Sequence, residues 1–110
     1  IDAPEKKQKC TKDKKVYNCG VDATKALTKK IGKKLVKCLT QKKKDRYNRY
    51  IGICFVGQED LNKWMVRNGH AVAYTRYSKD YILDQEFAKT NKLGLWSGTF
   101  LKPEKWRKLN

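Results

Sequence analysis

Apolar residues recur at helical spacing in three parts of the chain. Between about residues 17 and 31 they fall three or four positions apart, which predicts a helix that stops at Gly32. A second helix is predicted after Asp60, whose side chain can cap it, and Gly69 would end it. A third helix is predicted over residues 79–92. The pattern therefore indicates three helices.

Two short segments rich in β-branched and aromatic residues, 34–40 and 50–56, predict strands. The basic loop 41–49 would join them into a hairpin, and residues 71–74 predict a shorter extended segment. Residues 1–15 are lysine-rich and lack periodicity, which predicts a loop or an extended arm. In the tail, the rings of Phe100, Pro103 and Trp106 are expected to cover the core.

These elements leave the sheet incomplete. At 110 residues the chain has the length of one domain. Two strands, a short third strand and three helices do not close a sheet, and a bare hairpin has unpaired edges that need covering. We therefore expect that part of the fold is absent from these residues.

The charge of the chain narrows the range of functions that it could have. Lysine and arginine number 27 against 11 aspartate and glutamate, a net charge of +16. Residues 1–50 contain 17 of the basic and 5 of the acidic side chains, so the excess lies mainly in that half. Such a charge is typical of a protein with an anionic partner, and nucleic acid is the leading candidate. The alternative is a solubilising surface on a secreted protein, although solubility needs a net charge of only about 2–8.

Four cysteines without a close C-x-x-C pair favour disulfides over a zinc site. Cys38 and Cys54 lie equally far along the chain from residue 46, so a turn centred there would place them opposite each other. Cys10 with Cys19 would close a short loop. This pairing is preferred among the three connectivities, and buried free thiols are the alternative. Disulfides indicate an oxidising compartment, so a removed leader peptide is expected.

The opening segment I-D-A-P-E holds the first candidate chemistry. Pro4 favours an extended backbone at Ala3, which keeps the carboxylates of Asp2 and Glu5 at a defined separation. Such a pair suits a hard-cation ligand beside a general base. The alternative is an ordinary turn or helix cap.

Two arginines flank a predicted turn at the tip of the hairpin. Arg46 and Arg49 stand on either side of Tyr47 and Asn48, and asparagine tolerates the positive φ that such a turn requires. The planar guanidinium of Arg49 matches a pair of phosphate oxygens, which suits a transition-state clamp. The alternative is a basic hairpin loop without a catalytic role.

Further along the chain, the rings of Tyr74 and Tyr77 are suited to stacking on bases. His70 is the only histidine. We interpret it as structural, because the sequence shows no partners for a nucleophilic scheme built on it.

The order of several short motifs resembles one family. The motifs are I-D-A-P-E, then C-G-x-x-A at Cys19, D-R-Y-N-R at Asp45, D-L-N-K-W-M-V-R-N-G-H-A at Asp60, A-Y-T-R-Y-S at Ala73, and G-L-W at Gly94 with a downstream W-R. Over nearly all of residues 1–107 this succession resembles the thermonuclease, or staphylococcal nuclease-like, family, and most closely its cysteine-containing bacterial branch. The resemblance implies an α+β fold, mostly β with helices, in which an OB-fold barrel carries three helices. It also implies a calcium-dependent phosphodiesterase that acts on DNA and RNA.

The same resemblance implies roles for individual residues. Asp2 and the backbone carbonyl of Ala3 would bind Ca²⁺, Glu5 would activate or position the attacking water, and Arg49 would stabilise the pentacoordinate phosphate. The side chains that it implies for contact with nucleic acid are Arg46, Tyr47, Tyr74 and Tyr77. Asn48 stands where the family usually has glycine.

The chain departs from the family at its beginning. Family members carry further strands, a second metal-binding aspartate and another phosphate-binding arginine before the I-D-A-P-E segment. We therefore expect residues 1–110 to form a single domain that is incomplete at its N-terminal end, with weak or no activity by itself. A second copy could complete the barrel by strand exchange.

The sequence thus predicts a secreted or periplasmic nuclease. Its partner would be DNA or RNA and not a membrane, because no stretch approaches the roughly 20 apolar residues that span a bilayer. The alternative is a non-catalytic, basic OB module that binds nucleic acid without cleaving it.

Overall fold

The computed structural model describes residues 1–75 and 78–110, apart from the side chain of Lys43. Within these residues the strands are β1 (Cys10–Lys12), β2 (Lys15–Tyr17), β3 (Lys37–Lys44), β4 (Tyr50–Val56) and β5 (Glu59–Asp60). The α-helices are α1 (Cys19–Ile31), α2 (Leu61–Arg67), α3 (Ile82–Thr90) and α4 (Pro103–Leu109), and a 3₁₀ turn covers Gly94–Ser97. The chain is therefore a mixed α+β structure, as predicted.

A small hairpin begins within the first fifteen residues, which we predicted as a loop or an extended arm. Strands β1 and β2 pair antiparallel, with Cys10 opposite Tyr17. The two residues between them, Asp13 and Lys14, have φ of 52° and 64°. Two consecutive positive φ angles produce a tight turn whose twist matches that of paired strands. The strands are too short and too polar for an alternating pattern to reveal them.

The β3–β4 hairpin is confirmed, with a shifted first strand. Strand β3 begins at Lys37 and runs to Lys44, so the connecting turn shortens to residues 45–49. β5 adds a short third strand beside β4, and β3 is an edge strand. All the described side chains of β3 are exposed. The described residues form no closed barrel, because this sheet contains three strands and the other sheet only two.

Both predicted disulfides are present. Cys38 and Cys54 are directly opposite each other in the β3–β4 register and are bonded, as predicted. Next to the turn Lys44 is opposite Tyr50, so the turn is centred on residue 47, and a register shift between Thr40 and Lys44 brings the two cysteines opposite each other. The Cys10–Cys19 bond joins β1 to the first residue of α1. Two disulfides are typical of an oxidising, extracytoplasmic environment. Across the described ranges, none of the helices has the length and hydropathy to cross a bilayer.

The helices begin and end at the residues expected to cap them, within a few positions. α1 ends at Gly32, which has φ of 56°. The Asp60 carboxylate accepts a hydrogen bond of 3.0 Å from the Lys63 N–H, which caps α2 as predicted. α2 stops two residues before Gly69, whose φ is 76°.

The tail contains a fourth helix, whereas we predicted three. Pro103 is the first residue of α4, a position where its missing N–H loses no helical hydrogen bond. Its ring is among the most completely buried side chains of the described chain. Phe100 packs on Trp96 with ring centroids 5.0 Å apart. Phe100 and Pro103 thus cover the core as expected, whereas Trp106 is only half-buried. The proline followed by apolar residues at helical spacing was the signal that we missed.

The buried residues form two clusters that meet at residues 71–73. One cluster joins α1, α2 and the segment before α3, and the other surrounds the Cys10–Cys19 disulfide. Ala71 and Ala73 belong to the first cluster and Val72 to the second. Their members are Ala23, Met65, Val66, Ala71, Ala73 and Tyr81 in the first, and Cys10, Cys19, Val72 and Leu95 in the second.

Gly69 and Gly57 provide a matched test of this packing. Both have positive φ, but a Cβ at Gly69 would overlap the Leu93 carbonyl oxygen, whereas a Cβ at Gly57 would meet open space. Gly57→Ala should lower the free energy of unfolding by about 1–2 kcal/mol through backbone strain alone. Gly69→Ala should lower it by about 1–3 kcal/mol more. Urea unfolding under non-reducing conditions measures both, and equal losses would contradict the close approach.

Tyr81 makes the stability of the fold sensitive to alkaline pH. Its buried hydroxyl donates to Asp60 Oδ2 at 3.1 Å. Burial first, and this hydrogen bond second, raise the pKa of Tyr81 to about 12. Because the unfolded phenol ionises near pH 10, this contribution is complete below pH 10 and is lost as the pH rises towards 12.

Tyr81→Phe should remove that pH dependence. Between pH 8 and 11 the wild-type protein should lose about 1 kcal/mol more stability than the variant, as measured by urea unfolding at both pH values. Tyr50→Phe, at an exposed ring, is the control and should behave as wild type. Identical slopes for all three proteins would show that Tyr81 does not titrate as described.

Candidate active site

The segment with the predicted carboxylates is fixed by backbone hydrogen bonds. Asp2 and Val72 each donate an N–H to the other's carbonyl at 2.9 Å. Pro4 is buried and Ala3 packs against the first core cluster. The Asp2 side chain is 9% exposed and that of Glu5 is 41% exposed. One carboxylate is therefore almost enclosed, while the other faces solvent.

Gln8 connects this segment to the start of α1 and to the segment before α4. Its side chain is fully buried, donates to the Leu101 carbonyl at 2.8 Å and accepts the Glu5 N–H at 3.2 Å. Its backbone N–H bonds to the Glu5 carbonyl and its carbonyl accepts the Gly20 N–H. A completely buried amide with these partners holds the loop in one conformation, since each lost bond would leave a buried polar group unsatisfied.

The start of α1 lies directly against the Glu5 backbone. A Cβ at Gly20 would overlap the carbonyl oxygens of Glu5 and Lys6. Only glycine therefore permits this approach, and the glycine of the C-G-x-x-A motif has a packing role.

Arg107 from α4 joins the two carboxylates. Its Nη1 atom lies 2.8 Å from Asp2 Oδ1 and 2.9 Å from Glu5 Oε1, and its Nη2 atom lies 3.4 Å from Asp2 Oδ2. Hydrogen bonding to Asp2, followed by that to Glu5, raises the pKa of Arg107 above its already high ordinary value. The guanidinium therefore remains charged and balances an enclosed carboxylate, which would be unfavourable without a partner.

Our sequence reasoning missed Arg107 as a site residue. The contact joins positions 105 residues apart, and the structure brings them together through α4. The W-R pair was noted within the family resemblance, and it was the only signal in the sequence that pointed to this residue.

The hairpin tip holds the second group of predicted residues. Asp45 Oδ1 accepts the backbone N–H groups of Tyr47 and Arg49, both at 2.9 Å, and Oδ2 accepts the Arg49 Nε–H at 2.9 Å. The hydrogen bond from the Arg49 backbone, before other causes, lowers the pKa of Asp45. Asn48 has φ of 63°, as predicted for this turn. The turn thus fixes the Arg49 backbone and orients its side chain.

Tyr47 lies beneath both arginines of the turn. The guanidinium carbons of Arg46 and Arg49 are 4.9 and 5.1 Å from its ring centroid, and Arg46 Nη2 donates to the Tyr47 hydroxyl at 2.8 Å. The tyrosine is 62% exposed. Lys44 lies over the exposed ring of Tyr50 in the same way. The tip therefore presents aromatic rings and cations together to solvent.

The structure joins the two predicted carboxylates but does not join them to Arg49. The described side-chain ion pair of Arg49 is with Asp45. Asp45 lies four positions earlier in the chain and is therefore closer in sequence to Arg49 than Asp2 or Glu5. Tyr74 is half-buried and its carbonyl accepts the Ser78 N–H. Tyr77 lies outside the described residues.

His70 is packed as a structural residue would be. Its ring lies 5.3 Å from that of Trp64, and burial lowers the pKa of His70. Two shallow cavities of about 400 and 440 Å³ also lie away from the carboxylates, since neither Asp2, Glu5 nor Arg49 lines them.

Comparison with known proteins decides the family. The sequence model of the family described as staphylococcal nuclease homologue matches residues 1–98 of the chain. The chain belongs to the staphylococcal nuclease family. It is 35% identical to an uncharacterised endonuclease of Haemophilus influenzae over 98% of its own length and 57% of that protein. It is 35% identical to an uncharacterised endonuclease of Escherichia coli O157:H7 over 88% of its length and 59% of that protein. A probable staphylococcal-like nuclease of Oryza sativa subsp. japonica is 33% identical over 98% of the chain and 27% of the relative.

This staphylococcal nuclease homologue spans under two thirds of the length of each of these relatives. The comparison therefore establishes the family of the chain.

The carboxylates of this staphylococcal nuclease homologue fit a hard cation in the kind of donor they offer. Asp2 and Glu5 direct one oxygen each at a single charged nitrogen of Arg107. Ca²⁺ takes about six to eight oxygen ligands. Across residues 1–75 and 78–110, no cluster of three or more histidine, cysteine, aspartate or glutamate side chains could hold a metal. Backbone carbonyls, water or a substrate phosphate would have to supply the other ligands.

Replacing Gln8 tests the anchoring of the carboxylate segment. Gln8→Ala leaves the Glu5 N–H and the Leu101 carbonyl without this partner and opens a cavity, so it should lower the free energy of unfolding by about 2–4 kcal/mol. Gln58→Ala, at an exposed glutamine, should change it by less than about 0.5 kcal/mol. Denaturant unfolding compares the pair. A Gln8→Ala protein as stable as the control would show that the buried amide does not hold the segment.

Proposed function

We propose that this chain carries the reaction centre of a calcium-dependent nuclease that hydrolyses phosphodiester bonds in DNA or RNA. The observation that supports this most directly is the convergence of Asp2 and Glu5 on one positively charged atom. Membership of the staphylococcal nuclease family and the names of the endonuclease relatives support the reaction class.

The two carboxylates differ in exposure, and we assign them different tasks. The enclosed Asp2, with the Ala3 carbonyl, would hold the cation, which when bound would place positive charge beside the phosphate. Glu5 is open to solvent, so a water molecule can reach it. In the reaction, the water oxygen attacks phosphorus and Glu5 takes the water proton. The bond from phosphorus to one ester oxygen breaks, and solvent protonates that oxygen.

Arg49 would bind the phosphate as its charge increases. Its ion pair with Asp45 uses Nε. The two Nη groups form the planar fork that matches two phosphate oxygens. Asp45 would therefore orient Arg49 without occupying the part of the guanidinium that meets the substrate.

The remaining polar surface favours a nucleic-acid strand as substrate. Arg46 and Tyr47 lie together at the hairpin tip, next to the arginine assigned to the phosphate. Tyr74 and Tyr77 keep their proposed role in stacking on bases. The net charge of +16 would attract a polyanion over the whole surface.

The exposed β3 edge is consistent with the proposal that the domain is completed by further strands. Leu39 on β3 is 58% exposed and Ile51 on β4 is 41% exposed, so apolar side chains of this sheet are uncovered. We propose that these residues form a single domain that contains part of an OB barrel. The remaining strands would come from outside residues 1–110, and a second copy of the chain is one source. Residues 1–110 alone would then have weak or no activity. The disulfides favour a secreted or periplasmic protein.

Glu5→Gln tests the reaction in the full-length protein. Removing the proton acceptor should lower the rate of cleavage of denatured DNA in Ca²⁺ by about 10²-fold or more. Glu86→Gln is the matched control, because it makes the same change at a helix surface where the partner is Lys89. It should cleave at the wild-type rate.

A calcium chelator should abolish cleavage by the wild-type and control proteins. Cleavage that survives both the chelator and Glu5→Gln would exclude this mechanism. Tight, salt-sensitive DNA binding without cleavage under any condition would instead support the non-catalytic binding module.

A further inference from the structure

Arg107 contacts three of the four carboxylate oxygens of Asp2 and Glu5, so it must affect what else binds to them. Its two Nη nitrogens contact both oxygens of Asp2 and one oxygen of Glu5. Asp2 is almost enclosed, and its described side-chain ion pair is with Arg107. A divalent cation bound to Asp2 would therefore need at least one oxygen that the guanidinium now uses.

The sign of the coupling follows from charge. Two positive groups beside one enclosed carboxylate repel each other more strongly than they would in water. Either group alone satisfies Asp2, so binding of one lowers the affinity for the other. The effect is reciprocal, because a cation that weakens the docking of Arg107 is itself weakened by that docking to the same extent.

We propose that Arg107 is the built-in counter-cation of this site and exchanges with a divalent cation bound to Asp2. This inference rests on the proposed function for the identity of the cation. Without a divalent cation, Arg107 holds α4 against the I-D-A-P-E segment and keeps the enclosed carboxylate paired. When Ca²⁺ takes the carboxylate oxygens, the guanidinium leaves them and α4 is held less tightly. Arg107 is a positioning residue in this scheme, and it sets the cation affinity of the site.

α4 is built so that such an exchange would leave most of the fold intact. It is a helix of seven residues, and its one buried residue is Pro103, near the other end of the helix from Arg107. Lys108 pairs with Glu104 on the same helix and not with the carboxylate site. Arg107 therefore links the end of α4 to the carboxylate site. A cation bound at that site would break this link.

Calcium titration of the full-length protein by calorimetry tests the exchange. Arg107→Gln should bind Ca²⁺ about tenfold more tightly than wild type, within the usual range of coupling between two sites. Lys108→Gln removes the same charge one position away and should stay within about twofold of wild type, since salt screens exposed charges. Arg107→Lys keeps the charge and should remain nearer to wild type than Arg107→Gln.

Hydrogen exchange on the unaltered protein gives a second readout. Saturating Ca²⁺ should increase amide exchange in residues 103–109, and this increase should vanish in Arg107→Gln. A merely structural role for Arg107 predicts the opposite change in affinity, because a disrupted site would bind Ca²⁺ more weakly. Weaker or equal binding by Arg107→Gln relative to Lys108→Gln would overturn the proposal, as would unchanged exchange in wild type. Absence of Ca²⁺ binding in every variant would overturn it too, whereas loss of DNA cleavage with intact exchange would contradict only the nuclease.

Discussion

The buried side chain of Gln8 is the constraint on which the carboxylate site depends. Its amide bonds to Glu5 and to Leu101, and its backbone bonds to Glu5 and Gly20. Three distant parts of the chain therefore meet at one residue: the opening loop, the start of α1 and the segment before α4. Because buried polar groups must be satisfied, these parts are held together as a unit. Arg107 can reach the carboxylates because the segment that leads into its helix is anchored at Leu101.

Charge on this molecule is organised at two places with different chemistry. At one, the enclosed Asp2 and the open Glu5 share the guanidinium of Arg107. At the other, Asp45 orients Arg49 beside an exposed tyrosine. Elsewhere the positive charge is mostly spread over exposed lysines, which attract a polyanion without selecting a bond in it. Selectivity for a phosphodiester would come from the two organised places.

Local patterns in the sequence predicted much of the structure correctly. The spacing of Cys38 and Cys54 predicted their pairing and disulfide correctly, although an irregularity between Thr40 and Lys44 shifts the register between the turn and the cysteines. Asp60 capped α2 as expected. The β1–β2 hairpin was missed because its polar strands show no periodicity. The helix α4 was missed because we interpreted the residues after Phe100 as an irregular tail. Asp2 and Glu5 were singled out as a carboxylate pair and both contact Arg107 in the structure, whereas Gln8 was not singled out.

The sequence by itself contained the family motifs, favoured the observed disulfide pairing and indicated the Asp60 cap, the glycine stops and the candidate carboxylate and arginine residues. Each of these depends on neighbours within a few positions or on a spacing along one hairpin. Only the tertiary structure decided that Arg107 pairs with Asp2 and Glu5, and that Gln8 is buried with hydrogen bonds to both Glu5 and Leu101. The reason is physical: ion pairs and buried hydrogen bonds between distant residues depend on how helices and loops pack together, and no local pattern encodes that packing.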